Sequence, residues 1–222
     1  MKRLIVMATA LLVALFFTTS PVLAQGVFSI HGGLSLPASD FADDDWLNDE
    51  EAGGAGIGFG AGLQYNYPIS DAGLDIYGGL DVIINGLSGD VVDDIEDGGA
   101  DVESNSLYIN IPISAGLQYT IPSNGSANFF IKAGVVGSVM RQTDLELEDN
   151  AGNNAAIEYS PNTTIGISAG AGVILNENVT IAVTYFSMGE KDIDVEFDNG
   201  QESDFEMPVT LATLTVGYRF LQ

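Results

Sequence analysis

An all-β chain, closed as an eight-stranded antiparallel up-and-down transmembrane β-barrel, is what the sequence predicts, and three observations carry the prediction. The first is the stretch Val209–Gln222, VTLATLTVGYRFLQ. From Ala212 on, Leu214, Val216, Tyr218 and Phe220 alternate with Thr213, Thr215, Gly217 and Arg219. Period two is the signature of a strand. An apolar face ending in two aromatics, opposite a small and polar face, suits a strand set between lipid and a packed polar lumen. The second is that the chain is 46% hydrophobic and holds 27 glycines, yet past its N-terminus no run approaches the roughly eighteen apolar residues of a membrane helix. The third is where the 31 acids lie. Only Asp71, Asp75, Asp81 and Glu177 fall outside four long connectors.

The elements follow in order. Lys2 and Arg3, an apolar run from Leu4 to Phe17 and the small-residue ending Val22-Leu23-Ala24 form a secretory signal peptide over 1–24, with the cut before Gln25. Residues 25–222 are then one barrel domain. The first strand, Gly26 to Leu36, puts Phe28, Ile30 and Leu34 on one face and Ser29, His31 and Ser35 on the other. The second, Gly56 to Tyr67, sets Ile57, Phe59, Leu63, Tyr65 and Tyr67 against glycines, Gln64 and Asn66. The third, Leu74 to about Leu87, sets Ile76, Leu80, Val82 and Ile84 against Asp75, Tyr77, Asp81 and Asn85. The fourth, Leu107 to Thr120, directs Leu107, Ile109, Ile111, Ile113, Leu117 and Tyr119 outward.

The fifth strand starts near Asn128, with Phe129, Ile131 and Val135 outward and Lys132 inward. The opposite phase would place a lysine in lipid at up to ~2–4 kcal/mol. The sixth runs from Thr164 to Leu175, the seventh from Val179 to about Met188, and the stretch from Val209 closes the barrel. Short turns follow strands two, four and six, and long acidic connectors follow the odd strands. This gives three periplasmic turns and four extracellular loops. On that topology Phe28, Tyr65, Tyr67, Tyr119, Phe129, Tyr218 and Phe220 gather at the periplasmic end, as one aromatic girdle at the lipid interface. A soluble barrel would reverse the faces and leave such a girdle without a purpose.

The fourth strand carries a family likeness. Ser106 to Ile113, SLYINIPI, resembles the Tyr-x-x-(Ile/Leu)-Pro strand of small barrels in the outer-membrane "porin family" related to OmpA and OmpX. The aromatic chain end resembles their closing strand, although Leu221 and Gln222 follow Phe220 here. The resemblance implies a monomer in the bacterial outer membrane, surrounded by outer-membrane lipid and inserted by the barrel assembly machinery. It matches the membrane half of OmpA-like proteins, with no peptidoglycan-binding domain after it. Pro112 has no N–H, so a closed ladder must lose a bond or bulge beside it.

Chemistry is sparse. With no cysteine, neither a disulfide scaffold nor a Cys-linked lipid anchor is available. His31, the one histidine, belongs to a polar lumen network with Asp75, Asp81, Lys132 and Arg219. Charges in a narrow lumen must be paired, so Lys132 and Arg219 are expected to bond Asp75, Asp81 or lumen hydroxyls. No Ser/Asp/Glu set accompanies His31 as in outer-membrane hydrolases, and no catalytic residue, cofactor site or metal site is assigned. The acidic stretches lack EF-hand spacing. The alternating glycines precede no helix and so cradle no phosphate; they leave room for Tyr77, Tyr108, Phe130 and Phe186. Trp46 sits in the first acidic connector.

Removing Lys2 and Arg3 leaves four basic residues against the 31 acids, which excludes nucleic acid as a partner and favours divalent cations or basic surface partners. The expected role is structural or surface interaction, without enzymatic activity. The alternative is a narrow porin-like channel for small hydrophilic solutes or ions, although eight strands leave a bore that side chains just fill.

Overall fold

Each of the eight alternating segments forms a strand, and several run on well past their expected ends. The computed structural model describes residues 26–45, 52–98, 100–104, 106–123, 125–143, 145–149, 154–159, 162–197 and 202–220. The signal-peptide reading of 1–24, Trp46 and the last two residues lie outside these.

The strands are β1 (Val27–Pro37), β2 (Gly58–Ser70), β3 (Leu74–Gly86), β4 (Ala100–Ser104), β5 (Leu107–Ile121), β6 (Ala127–Gln142), β7 (Leu145–Asp149), β8 (Asn154–Tyr159), β9 (Asn162–Leu175), β10 (Val179–Phe197) and β11 (Glu202–Phe220). A 3-10 turn covers Ser39–Ala42, and a helix, α1, covers Gly89–Asp97. Eight strands close the barrel in the order β1-β2-β3-β5-β6-β9-β10-β11, with β11 returning to β1. All pairings are antiparallel, and Phe28 stands opposite Phe220 on one side and Tyr65 on the other. The ladder between β3 and β5 steps from Leu80–Ile113 to Ile83–Asn110. The skipped positions are Pro112 opposite Asp81 and Ile111 opposite Val82, where the missing N–H of the proline interrupts the ladder.

The period-two pattern sets which side chains leave the wall. Ile30, Leu34, Ile76, Leu80, Ile131, Val135, Ile167, Leu214 and Val216 are exposed on the outside. Ser29, Asn66, Tyr77, Asn110, Ser114, Gln118 and Phe130 are buried inside. A polar lumen holds for the half near the short turns. The half near the long connectors is different: Phe41, Ile83, Val136, Met140, Phe186, Met188, Met207, Val209 and Leu211 form one buried apolar cluster there.

The acidic connectors are themselves structured. α1 is N-capped by Ser88, whose hydroxyl accepts from the Val91 N–H at 3.2 Å. Val91 and Ile95, one turn apart on the same face, are its buried residues. β10 and β11 extend beyond the barrel as a paired hairpin, after a bulge between Ser187 and Glu190 that includes Gly189 at φ 79°. β8 pairs with β10, β7 with β8, and β4 with β7. Strand pairing thus continues above the mouth, where the sequence reading had placed open loops.

Candidate functional site

In register, Gly62 of β2 lies between His31 of β1 and Asp81 of β3. Their side chains meet across it, His31 Nε2 lying 2.6 Å from Asp81 Oδ1. A Cβ at Gly62 would collide with that carboxylate and with the imidazole. The glycine is therefore what permits this contact between imidazole and carboxylate.

Lys132 of β6 approaches from the opposite wall. Its ammonium donates to Gln64 Oε1 at 3.0 Å and lies 5.5 Å from the Tyr77 ring centroid, within cation–π reach. Gln64 donates in turn to Asn66 Oδ1 at 2.7 Å and Gln118 Oε1 at 3.2 Å. Tyr77 and Ser168 share a hydrogen bond of 3.3 Å. Lys132 thus donates to an amide rather than to a carboxylate, while Asp81 takes the histidine aligned with it. Arg219, at the turn end, donates to the Glu177 carbonyl at 3.4 Å, within electrostatic reach of Asp75.

These groups surround a small polar cavity of about 40 Å³, lined by His31, Asp81, Lys132, Gln64, Tyr77 and Arg219 among others. That is room for a few waters. The serines on the face of His31 are committed elsewhere. Ser29 Oγ donates to the Gln64 carbonyl at 3.2 Å and Ser35 Oγ to Asn85 Oδ1 at 3.1 Å, so neither is poised as a nucleophile. No group of three or more metal-ligating side chains occurs among the described residues.

Above the cavity the first connector folds back over the mouth. Phe41 is fully buried and meets the Tyr108 ring edge-on at 5.3 Å. Tyr108 Oη donates to the Gly53 carbonyl at 2.6 Å. The two limbs of the connector bond each other, Gly53 N–H to the Asp40 carbonyl at 2.7 Å and Ala55 N–H to the Phe41 carbonyl at 2.9 Å. Ser88 Oγ ties the connector to the base of α1 through Asp44 Oδ1 at 2.8 Å. This apolar plug was not legible as such. Phe41 stands among acids, and only its contact with residues distant in sequence marks it as core.

The aromatic residues named from the sequence occupy the outer face at the turn end. Phe28 and Phe220 have centroids 6.0 Å apart, and Tyr218 and Phe220 5.1 Å. Tyr119 and Phe129 are exposed, and Tyr65 and Tyr67 half-exposed. Phe59 and Tyr185 are exposed on the outer face toward the other rim.

A closed eight-stranded barrel with an apolar exterior agrees with the comparison by sequence family. The family model described as "Outer membrane protein beta-barrel domain" matches residues 8–220. The chain belongs to that family. Solved structures of similar fold include the outer membrane protein OprG from Pseudomonas aeruginosa, at 14% identity over 90% of this chain and 98% of that one, with a TM-score of 0.53. A major outer membrane protein from Thermus thermophilus is 16% identical over 88% and 99%, with a TM-score of 0.48. Neisserial surface protein A is 12% identical over 89% and 97%, with a TM-score of 0.47. No curated protein matches the chain. As an outer-membrane barrel, the protein turns its exposed Ile, Leu and Val side chains to lipid, while its polar network is enclosed by the wall.

Proposed function

We propose that the protein is a monomeric barrel of the bacterial outer membrane with an occluded bore, acting in envelope structure or surface interaction rather than as an enzyme or a pore. The observation that carries this is the sequence of barriers along the axis. The apolar plug around Phe41 lies above a lumen whose cavity is only about 40 Å³. A hydrated solute would have to displace the plug and then break the His31–Asp81 and Lys132–Gln64 contacts. On this reading the chain is exported by cleavage before Gln25 and inserted by the barrel assembly machinery, with the aromatic girdle at the periplasmic lipid interface. Its acidic extensions face outward, toward divalent cations or basic surface partners. Liposome swelling tests the occlusion. Vesicles carrying refolded protein should swell in a monosaccharide no faster than empty ones; rapid swelling would make the protein a channel for small hydrophilic solutes.

A further inference from the structure

Two cations lie on β6, and they face opposite ways. Lys132 turns into the lumen. Arg141 follows nine positions later, an odd step, so period two turns it outward, and it is exposed there. Met140 and Gln142, on either side of it, are buried within. Among the described residues Arg141 is the one basic side chain on the outer face of the wall.

An arginine facing lipid is costly at the middle of a membrane and nearly free at its interface. The height of Arg141 decides which applies. It stands twelve positions beyond Phe129, the girdle residue of the same strand. That is about 40 Å of strand and, at a barrel tilt of about 40°, about 30 Å along the axis. The apolar band of such barrels is about 25 Å tall. Arg141 therefore stands just past the hydrocarbon, among the headgroups of the leaflet nearest the long connectors.

Two further features surround it. Thr163 of β9 stands opposite Val139, which makes it the diagonal neighbour of Arg141, and it is exposed on the same outer face. Below Arg141, Gly137 lies between Ile113 and Ile165. A Cβ at Gly137 would meet no atom within 4 Å, while Ile165 stands 83% exposed beside it. The result is a notch in the apolar wall, under a cation and a hydroxyl.

We infer that Arg141 and Thr163 hold the phosphate of a membrane lipid in that leaflet, with one acyl chain lying over Gly137 between Ile113 and Ile165. A guanidinium presents paired N–H donors that match phosphate oxygens, and the threonine hydroxyl adds another. With 31 acids in the chain, its surface repels anions in general, so an anionic headgroup is drawn to the place where this cation stands. The notch separates a lipid from free phosphate, since only the lipid fills both halves of the site.

The test uses the full mature chain in a maltoside micelle, which brings no phosphate of its own. The probes are dihexanoyl phosphatidic acid, dihexanoylglycerol and inorganic phosphate. Binding is read from the Arg141 Nε–H resonance in a nitrogen–proton spectrum, and from the Val139 and Thr163 amides in the variants. The phosphatidic acid should shift these signals saturably and bind at least about tenfold more tightly than either other probe. R141Q should lose that advantage. G137L, which fills the notch, should bring the lipid down to the level of inorganic phosphate, while heat-modifiable gel mobility shows that both variants are folded. Inorganic phosphate binding as tightly as the lipid would make this an ion site and overturn the inference. So would equal binding of dihexanoylglycerol, unchanged affinity in R141Q, or no shift at all. The site lies on the outer wall, so none of these results bears on liposome swelling, and its failure is distinguishable from failure of the occluded-barrel reading.

Discussion

His31 and Asp81 lie two strands apart and touch only because Gly62, between them, has no side chain. Gly62→Val is therefore expected to destabilise the folded barrel more than a typical small-to-large change. The added atoms meet a carboxylate and an imidazole that are bonded to each other across the gap. About 1–3 kcal/mol is the scale for overpacking, measurable by urea titration of the refolded barrel. Asp81→Asn should cost less, because an amide still bonds the imidazole. If the Gly62 variant matches the parent, the close crossing is wrong.

Phe41→Ala should loosen the plug without unfolding the wall. Burial this complete, with an aromatic partner, places the local loss at about 3–5 kcal/mol. Limited proteolysis should then cut between Ala38 and Ala55 while the rest of the barrel stays intact. Unchanged resistance would remove Phe41 from the core.

Tyr108→Phe isolates one bond of the same plug. The Gly53 carbonyl would lose its buried donor, a loss of about 1–3 kcal/mol, and the new cut sites should coincide with those of the Phe41 variant. A cut pattern confined to α1 would contradict the shared plug.

The acidic hairpin should respond to ionic conditions with a definite sign. Repulsion between the paired acids of β10 and β11 weakens when salt screens it. Raising sodium or adding calcium or magnesium should therefore slow protease cutting between Glu190 and Met207. Protection that is indifferent to ions at every ionic strength would contradict this.

How much of this was legible follows from what each pattern depends on. The barrel strands were readable because lipid outside and a packed lumen inside impose a two-residue period on every residue, down to Lys132 facing in. The extensions were missed because acid density was read as loop. Yet Asp192-Ile193-Asp194-Val195-Glu196-Phe197 carries the same alternation, with acid in the place of small polar residues. α1 also had its signals, Ser88 before Val91 and Ile95, hidden in a run dominated by Asp and Glu. The lumen pairing was only half legible. Alternation placed His31, Asp81 and Lys132 inside, but the histidine's claim on Asp81 depends on a register that no local pattern encodes. The plug is a matter of tertiary contact alone.

Single-channel recording in a planar bilayer tests the closed bore most directly. Refolded protein in molar potassium chloride should give no steady conductance above that of protein-free membranes, with the Phe41→Ala variant giving at most brief openings. A steady, large conductance from the unmodified protein would mean that ions pass the plug and the His31, Asp81 and Lys132 contacts, and would contradict the account.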